Sequence, residues 1–423
     1  MAQKIVIKGD VVSSESLTEL RTIENGYICI DDGRIAYVGD ALPSDYADAE
    51  LKDFSGMMIM QSFCDMHLHA PQYPMVGLGM DLPLVDWLDK YAYPLEGEFK
   101  DTEYAEGVYR RLAKDLIMHG TTRVSIFSSL HTDATLVLME ELENAGVTGY
   151  VGKVNMDRNN MPGVLEETTE ESEAETLRWL KECERFKYIK PILTPRFTPS
   201  CTDELMAFLG DLSKEKKLPV QSHISENISE IEWVKQLRPE CKEYWDTYND
   251  SGLWHDRTLM AHCVYSSDRE RKAMRDYGVT AVHCCNSNTN IESGIMPLRK
   301  MIDEGIKVTL GSDIAGGDTL NVFEVVSDTV KTSKVRNVYD SWESSHVNEK
   351  EAWYLATSAA LEWFDSKPGF AAGNMLHAIV LDDSELMRKT LSVEERFYRC
   401  FYKRQQNAIR SVWSEGREVY SYR

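Results

Sequence analysis

Cys64-Asp65-Met66-His67-Leu68-His69-Ala70-Pro71-Gln72 is the stretch on which the reading of this chain turns. It follows the mostly apolar run Phe54 to Phe63, which reads as the approach to a strand ending in the two histidines. Extended backbone sends alternate side chains to the same side, so both imidazoles face one point. Two neutral nitrogen donors at one point can supply half the ligand shell of a zinc-class ion. His-x-His is a short pattern that also occurs as paired surface histidines in a turn, so the weight falls on the rest of the chain.

Beyond this strand the pattern alternates helix and strand, which argues for a parallel sheet with crossover helices. Strands are expected at Thr121 to Phe127, Gly149 to Asn155, Tyr188 to Thr194, Leu218 to His223, Arg257 to His262, Val279 to His283 and Ile306 to Gly311. With the opening strand these make eight, spread over roughly 300 residues, as suits a (β/α)8 TIM-like barrel with insertions. Helical periodicity falls between them, at Thr102 to His119, Asp133 to Asn144, Thr169 to Phe186, Thr202 to Lys216, Asn227 to Leu237, Asp268 to Tyr277 and Pro297 to Glu304. A doubly wound open sheet is the alternative, but no glycine-rich dinucleotide fingerprint or phosphate loop follows an early strand.

Three of these strands end in chemistry. Leu218-Pro219-Val220-Gln221-Ser222-His223 closes the fifth, Leu259-Met260-Ala261-His262 the sixth, and Val308-Thr309-Leu310-Gly311-Ser312-Asp313 the eighth. All strand C-termini of a parallel barrel face one mouth, so His67, His69, His223, His262 and Asp313 are expected to converge there. Singly, each reads as a hydrogen-bonded strand end or a cap. Together they read as a metal site.

The two ends of the chain have a different character. Lys4 to Gly9, Gly26 to Ile30 and Arg34 to Val38 read as short strands, and so do Met375 to Leu381, Ala408 to Val412 and Glu418 to Tyr422. We expect residues 1–63 and 365–423 to build one small discontinuous β-sandwich domain beside a catalytic barrel of residues 64–364. Asn321 to Lys334 and Asn348 to Trp363 read as helices that finish the barrel.

A formal charge of −22 leaves no basic block with which to displace phosphate counterions, which excludes nucleic-acid binding of that kind. The nine cysteines are scattered, with Cys284 and Cys285 adjacent, so a reducing compartment fits better than a disulfide framework. The start lacks a signal-peptide pattern and no apolar run approaches membrane length. The expectation is a cytoplasmic protein without membrane contact.

Several stretches carry a resemblance to the amidohydrolase superfamily and, within it, to the guanine deaminase family, over nearly the whole chain. They are His67-Leu68-His69-Ala70-Pro71-Gln72-Tyr73, Asp81-Leu82-Pro83-Leu84 with Trp87-Leu88, Lys153-Val154-Asn155-Met156-Asp157 and Pro195-Arg196-Phe197. Ser222-His223-Ile224-Ser225-Glu226-Asn227, Ala261-His262-Cys263-Val264-Tyr265 and Gly311-Ser312-Asp313-Ile314-Ala315-Gly316-Gly317 complete the set. The resemblance implies one Zn²⁺ on His67, His69, His223 and Asp313, with Glu226, Asp313 and His262 managing protons and the attacking oxygen. It implies guanine as substrate, deaminated to xanthine, with Gln72, Arg196, Phe197 and His262 at the base. A homodimer is expected on the general commonness of two-fold pairs.

The chain departs from the family pattern at Gln61-Ser62, where Pro-Gly is usual, at Cys263, where glycine commonly stands, at Cys284-Cys285 and at His377. We assign the two thiols to packing rather than to the metal. The rival readings are a zinc-dependent hydrolase of another nitrogen heterocycle, such as an aminopurine or a triazine, and an inactive scaffold. Survival of the full ligand set and Glu226 argues against the latter.

Overall fold

Four strands open the chain: β1 (Lys4–Ser14), β2 (Leu20–Asp31), β3 (Arg34–Gly39) and β4 (Glu50–Gln61). The structure, a computed structural model, describes residues 3–161, 163–340, 345–386, 391–403 and 408–422. β1 runs on past Gly9, where the sequence suggested an end, through a register shift between Gly9 and Val11. The polar residues that hid this continuation are themselves buried. Asp10, for one, pairs with Arg396 at 2.5 Å, and that guanidinium also holds Asp383 at 2.6 Å.

The barrel follows with β5 (Phe63–His69), β6 (Thr121–Phe127), β7 (Thr148–Gly152), β8 (Val154–Asn155), β9 (Ile189–Pro191) and β10 (Thr194–Pro195). It is completed by β11 (Val220–Ile224), β12 (Thr258–His262), β13 (Thr280–His283) and β14 (Lys307–Leu310). Parallel pairing gives the orders β5-β6-β7-β9 and β11-β12-β13-β14, with β8 and β10 continuing the third and fourth strand positions as a short pair. The Gln221 amide donates to Leu193 O at 2.9 Å, joining the two halves on one side. On the other side the Asp313 amide donates to His67 O at 2.8 Å and the Ser312 amide to the Asp65 carboxylate at 2.9 Å. The ring of eight strand positions is therefore closed. Gly311 permits this closure, because a Cβ there would sit 2.7 Å from His67 Cβ.

Amphipathic helices cover the barrel. Thr102–Met118, capped by Asp101, buries Tyr109, Leu112 and Leu116, and Thr132–Ala145 ends at Gly146 in the left-handed conformation. Val322–Tyr339 is longer than expected, whereas the expected helix Asn348 to Trp363 divides into Glu349–Leu355 and a tighter 3₁₀ turn at Ser358–Phe364. The break falls at Thr357, whose φ of −136° and ψ of −88° cannot continue a helix.

The tail returns to the head. β15 (Ala378–Leu381) pairs with β4, and β16 (Ile409–Ser414) with β17 (Arg417–Ser421), giving the seven-stranded order β17-β16-β15-β4-β1-β2-β3. The sheet curls so that its far edge comes back, with Ile35 N–H donating to Asn374 O and Leu376 N–H to Gly33 O, both at 2.9 Å. Ile5, Ile7, Ile28, Ile35, Val380 and Trp413 pack into the core it encloses, the sandwich domain foreseen from both ends. The helix Val393–Lys403, which the reading of the tail as strands did not include, instead packs on barrel helices through Phe397 against Trp353 and Phe401 against Phe323. No helix among the described residues is long and apolar enough to cross a membrane.

Candidate active site

The C-terminal ends of β5, β11 and β12, and the turn after β14, deliver His67, His69, His223, His262 and Asp313 to one buried point. His67 Nε2 lies 3.2 Å and His69 Nε2 3.7 Å from Asp313 Oδ1, and His69 Nε2 lies 3.0 Å from His223 Nε2. Tetrahedral coordination with bonds of about 2.0–2.1 Å separates neighbouring ligand atoms by roughly 3.3–3.4 Å, close to this spacing. His67 Nε2 is buried without a hydrogen-bond partner. His223 Nδ1 is 2.6 Å from Arg196 O, so that nitrogen carries the proton and Nε2 presents its lone pair to the cluster. Burial lowers the pKa of His67 and holds His69 and His223 well below the usual imidazole value, leaving neutral donors. This donor set fits a zinc-class cation.

The backbone is bent to make it. Ser225, His262, Cys263 and Asp313 all have positive φ, between 48° and 75°, a conformation rare for residues with a side chain and concentrated at functional sites.

Beside the cluster, His262 Nε2 lies 3.5 Å from Glu226 Oε2 and 3.8 Å from Asp313 Oδ2, and its Nδ1 bonds Asn288 Oδ1 at 2.9 Å. Glu226 follows β11 on a turn fixed from behind, where Glu230 accepts its amide at 2.9 Å and is held by Tyr244 at 2.7 Å. Ser293 Oγ donates to Glu226 Oε1 at 2.9 Å, which orients the carboxyl. Burial pushes the Glu226 pKa up to about 7.

Cys284 Sγ comes within 4.8 Å of the His262 and Asp313 donor atoms, nearer than a packing residue needs to be. Its thiol points back at Val282 O, 3.7 Å away, and burial raises its pKa well above the ordinary thiol value. All nine cysteines are free.

Gln72, Arg196 and Phe197 line the same cavity as His69, Glu226 and His262. Gln72 lies one turn past His69, and Arg196 follows the short strand β10. One residue that the sequence reading did not single out organises both. Glu96 is buried, receives Arg196 through two nitrogens at 2.5 and 3.0 Å, and accepts Gln72 Nε2 at 2.8 Å. Tyr93, three residues earlier, puts its ring 4.9 Å from the Arg196 guanidinium. Phe197 packs edge-on against Trp233, and Leu84, Trp87 and Leu88 close the cavity from above.

The amidohydrolase family profile matches residues 58–419. A guanine deaminase of Dictyostelium discoideum is 37% identical over 381 residues, 84% of this chain and 83% of its own length. The Mus musculus guanine deaminase is 35% identical over 393 residues, 89% of this chain and 86% of its own. Among solved structures, the guanine deaminase of C. acetobutylicum with guanine in its active site superposes with a TM-score of 0.96 at 38% identity, over 99% of this chain and 100% of that one.

Proposed function

From the fact that this chain belongs to the amidohydrolase family, we propose that it hydrolyses guanine to xanthine and ammonia at the cluster formed by His67, His69, His223 and Asp313. The observation that carries this is the meeting of three neutral imidazoles and a carboxylate at one point against a cavity that also holds Glu226, with Arg196 and Gln72 among its lining. The activity named for its relatives agrees with it.

Three imidazole nitrogens and one carboxylate oxygen suit Zn²⁺, which when bound lowers the pKa of a water towards about 7 and so supplies a nucleophile at neutral pH. The remaining work belongs to the side chains. Glu226 takes the proton lost by the attacking water and delivers it to a ring nitrogen of the base. His262, held by Asn288 and facing Glu226 and Asp313, donates towards the oxygen as the aminated carbon becomes tetrahedral. The second proton of the original water goes to the exocyclic amine, with Asp313 and Glu226 in reach of the path, and ammonia leaves as the carbonyl of xanthine forms.

Recognition follows from donor geometry. Arg196, locked by Glu96, presents its remaining N–H groups to the acceptor edge of the base. Gln72 offers an amide with both donor and acceptor, and Phe197 covers a ring face. His223 bonds the Arg196 carbonyl, so the same residue that reads the base also sets the tautomer of a metal-binding histidine.

The test is a panel of guanine, adenine and an aminotriazine offered to the metal-loaded protein, with ammonia and the ring product both measured. Guanine turned over to xanthine and the others left untouched supports the reading. Turnover of the triazine or adenine in preference would replace it with the neighbouring heterocycle chemistry. The chain is expected to act as a homodimer in the cytoplasm, which light scattering and cell fractionation read directly.

A further inference from the structure

Most arginines in this acidic chain that are buried have found carboxylates: Arg196 holds Glu96, Arg396 holds Asp10 and Asp383, and Arg271 holds Glu304. Arg123 has not. It stands in β6 near the N-terminal end of the barrel, is only 6% exposed, and has no carboxylate oxygen within 4.0 Å among the described residues. Its guanidinium lies 5.6 Å from the centre of the Phe364 ring, and burial works against its charge. The Glu415 carboxylate acts on it only from beyond ion-pair distance, so much of the charge taken out of water is left uncompensated.

Arg123 lines a cleft of about 320 Å³ between the barrel floor and the sandwich domain. Three more cations stand on its rim, and none of them has a carboxylate within 4.0 Å among the described residues. Arg34 donates to Gly373 O at 2.8 Å, Lys187 to the Tyr188 hydroxyl at 2.8 Å and Lys190 to Phe186 O at 3.4 Å. Two carboxylates share the cleft. Glu415 lies 3.0 Å from the neutral His377 ring and keeps its charge towards Arg123, and Asp365 is exposed on the edge. Four cations against two anions, in a chain with 69 acidic and 47 basic residues, is a local reversal of the molecule's charge.

We propose that this cleft is a second ligand site, taking an oxyanion of the phosphate class, free or as a phosphomonoester, with Arg123 as the buried anchor and Lys187, Lys190 and Arg34 closing on it from the rim. A planar guanidinium fork and mobile ammonium groups suit an anion with several oxygens pointing in different directions. The site lies at the strand ends opposite the active mouth, so its occupant does not touch the base. It stands or falls independently of the substrate reading above.

Titration calorimetry on the full-length, metal-loaded protein at constant ionic strength tests it, with inorganic phosphate and ribose 5-phosphate as separate probes and chloride as the blank. Saturable binding of at least one probe is expected, and which one binds tells a free anion from a phosphomonoester. Arg123→Met should abolish it, and the exposed pair Lys187→Gln/Lys190→Gln should weaken it by roughly tenfold or more while guanine turnover without phosphate stays as in the parent. The double variant keeps the test decisive should Arg123→Met fail to fold. No saturable heat with either probe, or equal affinity in parent and double variant, would overturn the proposal.

Discussion

Two walls of the same cavity are built on opposite principles. The wall proposed to hold the metal is made of strand ends: His67, His69, His223 and Asp313 are fixed by backbone pairing around a closed ring and need little else to converge. The wall proposed to face the base stands on segments beyond the strand ends, and Gln72 and Arg196 share an orientation because a single carboxylate, Glu96, grips both. Damage to the first wall should therefore show in chemistry and metal content, and damage to the second in substrate affinity. Arg196 is the hinge between them, its side chain in one and its carbonyl in the other.

The largest expected effect sharpens the chemical side. Glu226→Gln removes the proton carrier while Ser293 still positions the side chain, so kcat should fall by about 10³–10⁴ with guanine affinity and metal content retained. Equilibrium binding of guanine beside a turnover assay checks this; a loss of metal would move Glu226 into the ligand set.

Arg196→Ala should come next, with kcat/KM for guanine down by roughly 10²–10³ and the metal still bound, because only its backbone carbonyl serves His223. Unchanged turnover would remove Arg196 from the recognition set. Glu96→Gln keeps the shape but not the charge, and should raise KM by about ten- to hundredfold with a smaller change in kcat. The two together should cost less than the product of the single effects, since each breaks the same grip. Strict additivity would mean that Glu96 does not act through Arg196.

The last effect lies away from the cavity, where the sandwich meets the barrel, and is read in stability and not in turnover. His377 is buried between Thr122 and Glu415, and burial, then Arg123, holds its pKa down to about 4. A depressed histidine favours the fold in its neutral form, so this stability is complete above its free value of about 6.5 and is lost as pH falls through that value towards 4. The difference is at most roughly 3 kcal/mol. Denaturant unfolding at neutral and acid pH should show a shallower acid loss in His377→Gln than in the parent.

The same contrast explains what the sequence disclosed. Strand ends are legible because a hydrophobic run fixes the direction in which the next side chain points, and the eight runs place His67, His69, His223, His262 and Asp313 on one rim. Glu96 is not legible that way. It sits in Tyr93-Pro94-Leu95-Glu96-Gly97-Glu98-Phe99, past a wide π turn at Leu88–Ala92, and no local periodicity tells buried Glu96 from exposed Glu98. The extension of β1 past Gly9 was hidden for a related reason, since its partner for Asp10 lies 386 residues away. The helix Val393–Lys403 was readable from Val393, Phe397 and Phe401 at a spacing of four, and was obscured by the strand character of its neighbours.

The central claim is that a metal-bearing cluster and Glu226 act together on guanine, and one paired measurement tests it most directly. Metal content and xanthine formation are determined on the same preparations of the parent and of Glu226→Gln, before and after chelation. The account predicts one equivalent of metal in both proteins, xanthine from the parent alone, and loss of that activity on chelation with recovery on Zn²⁺ return. A parent that forms xanthine at full rate after its metal has been removed would contradict it.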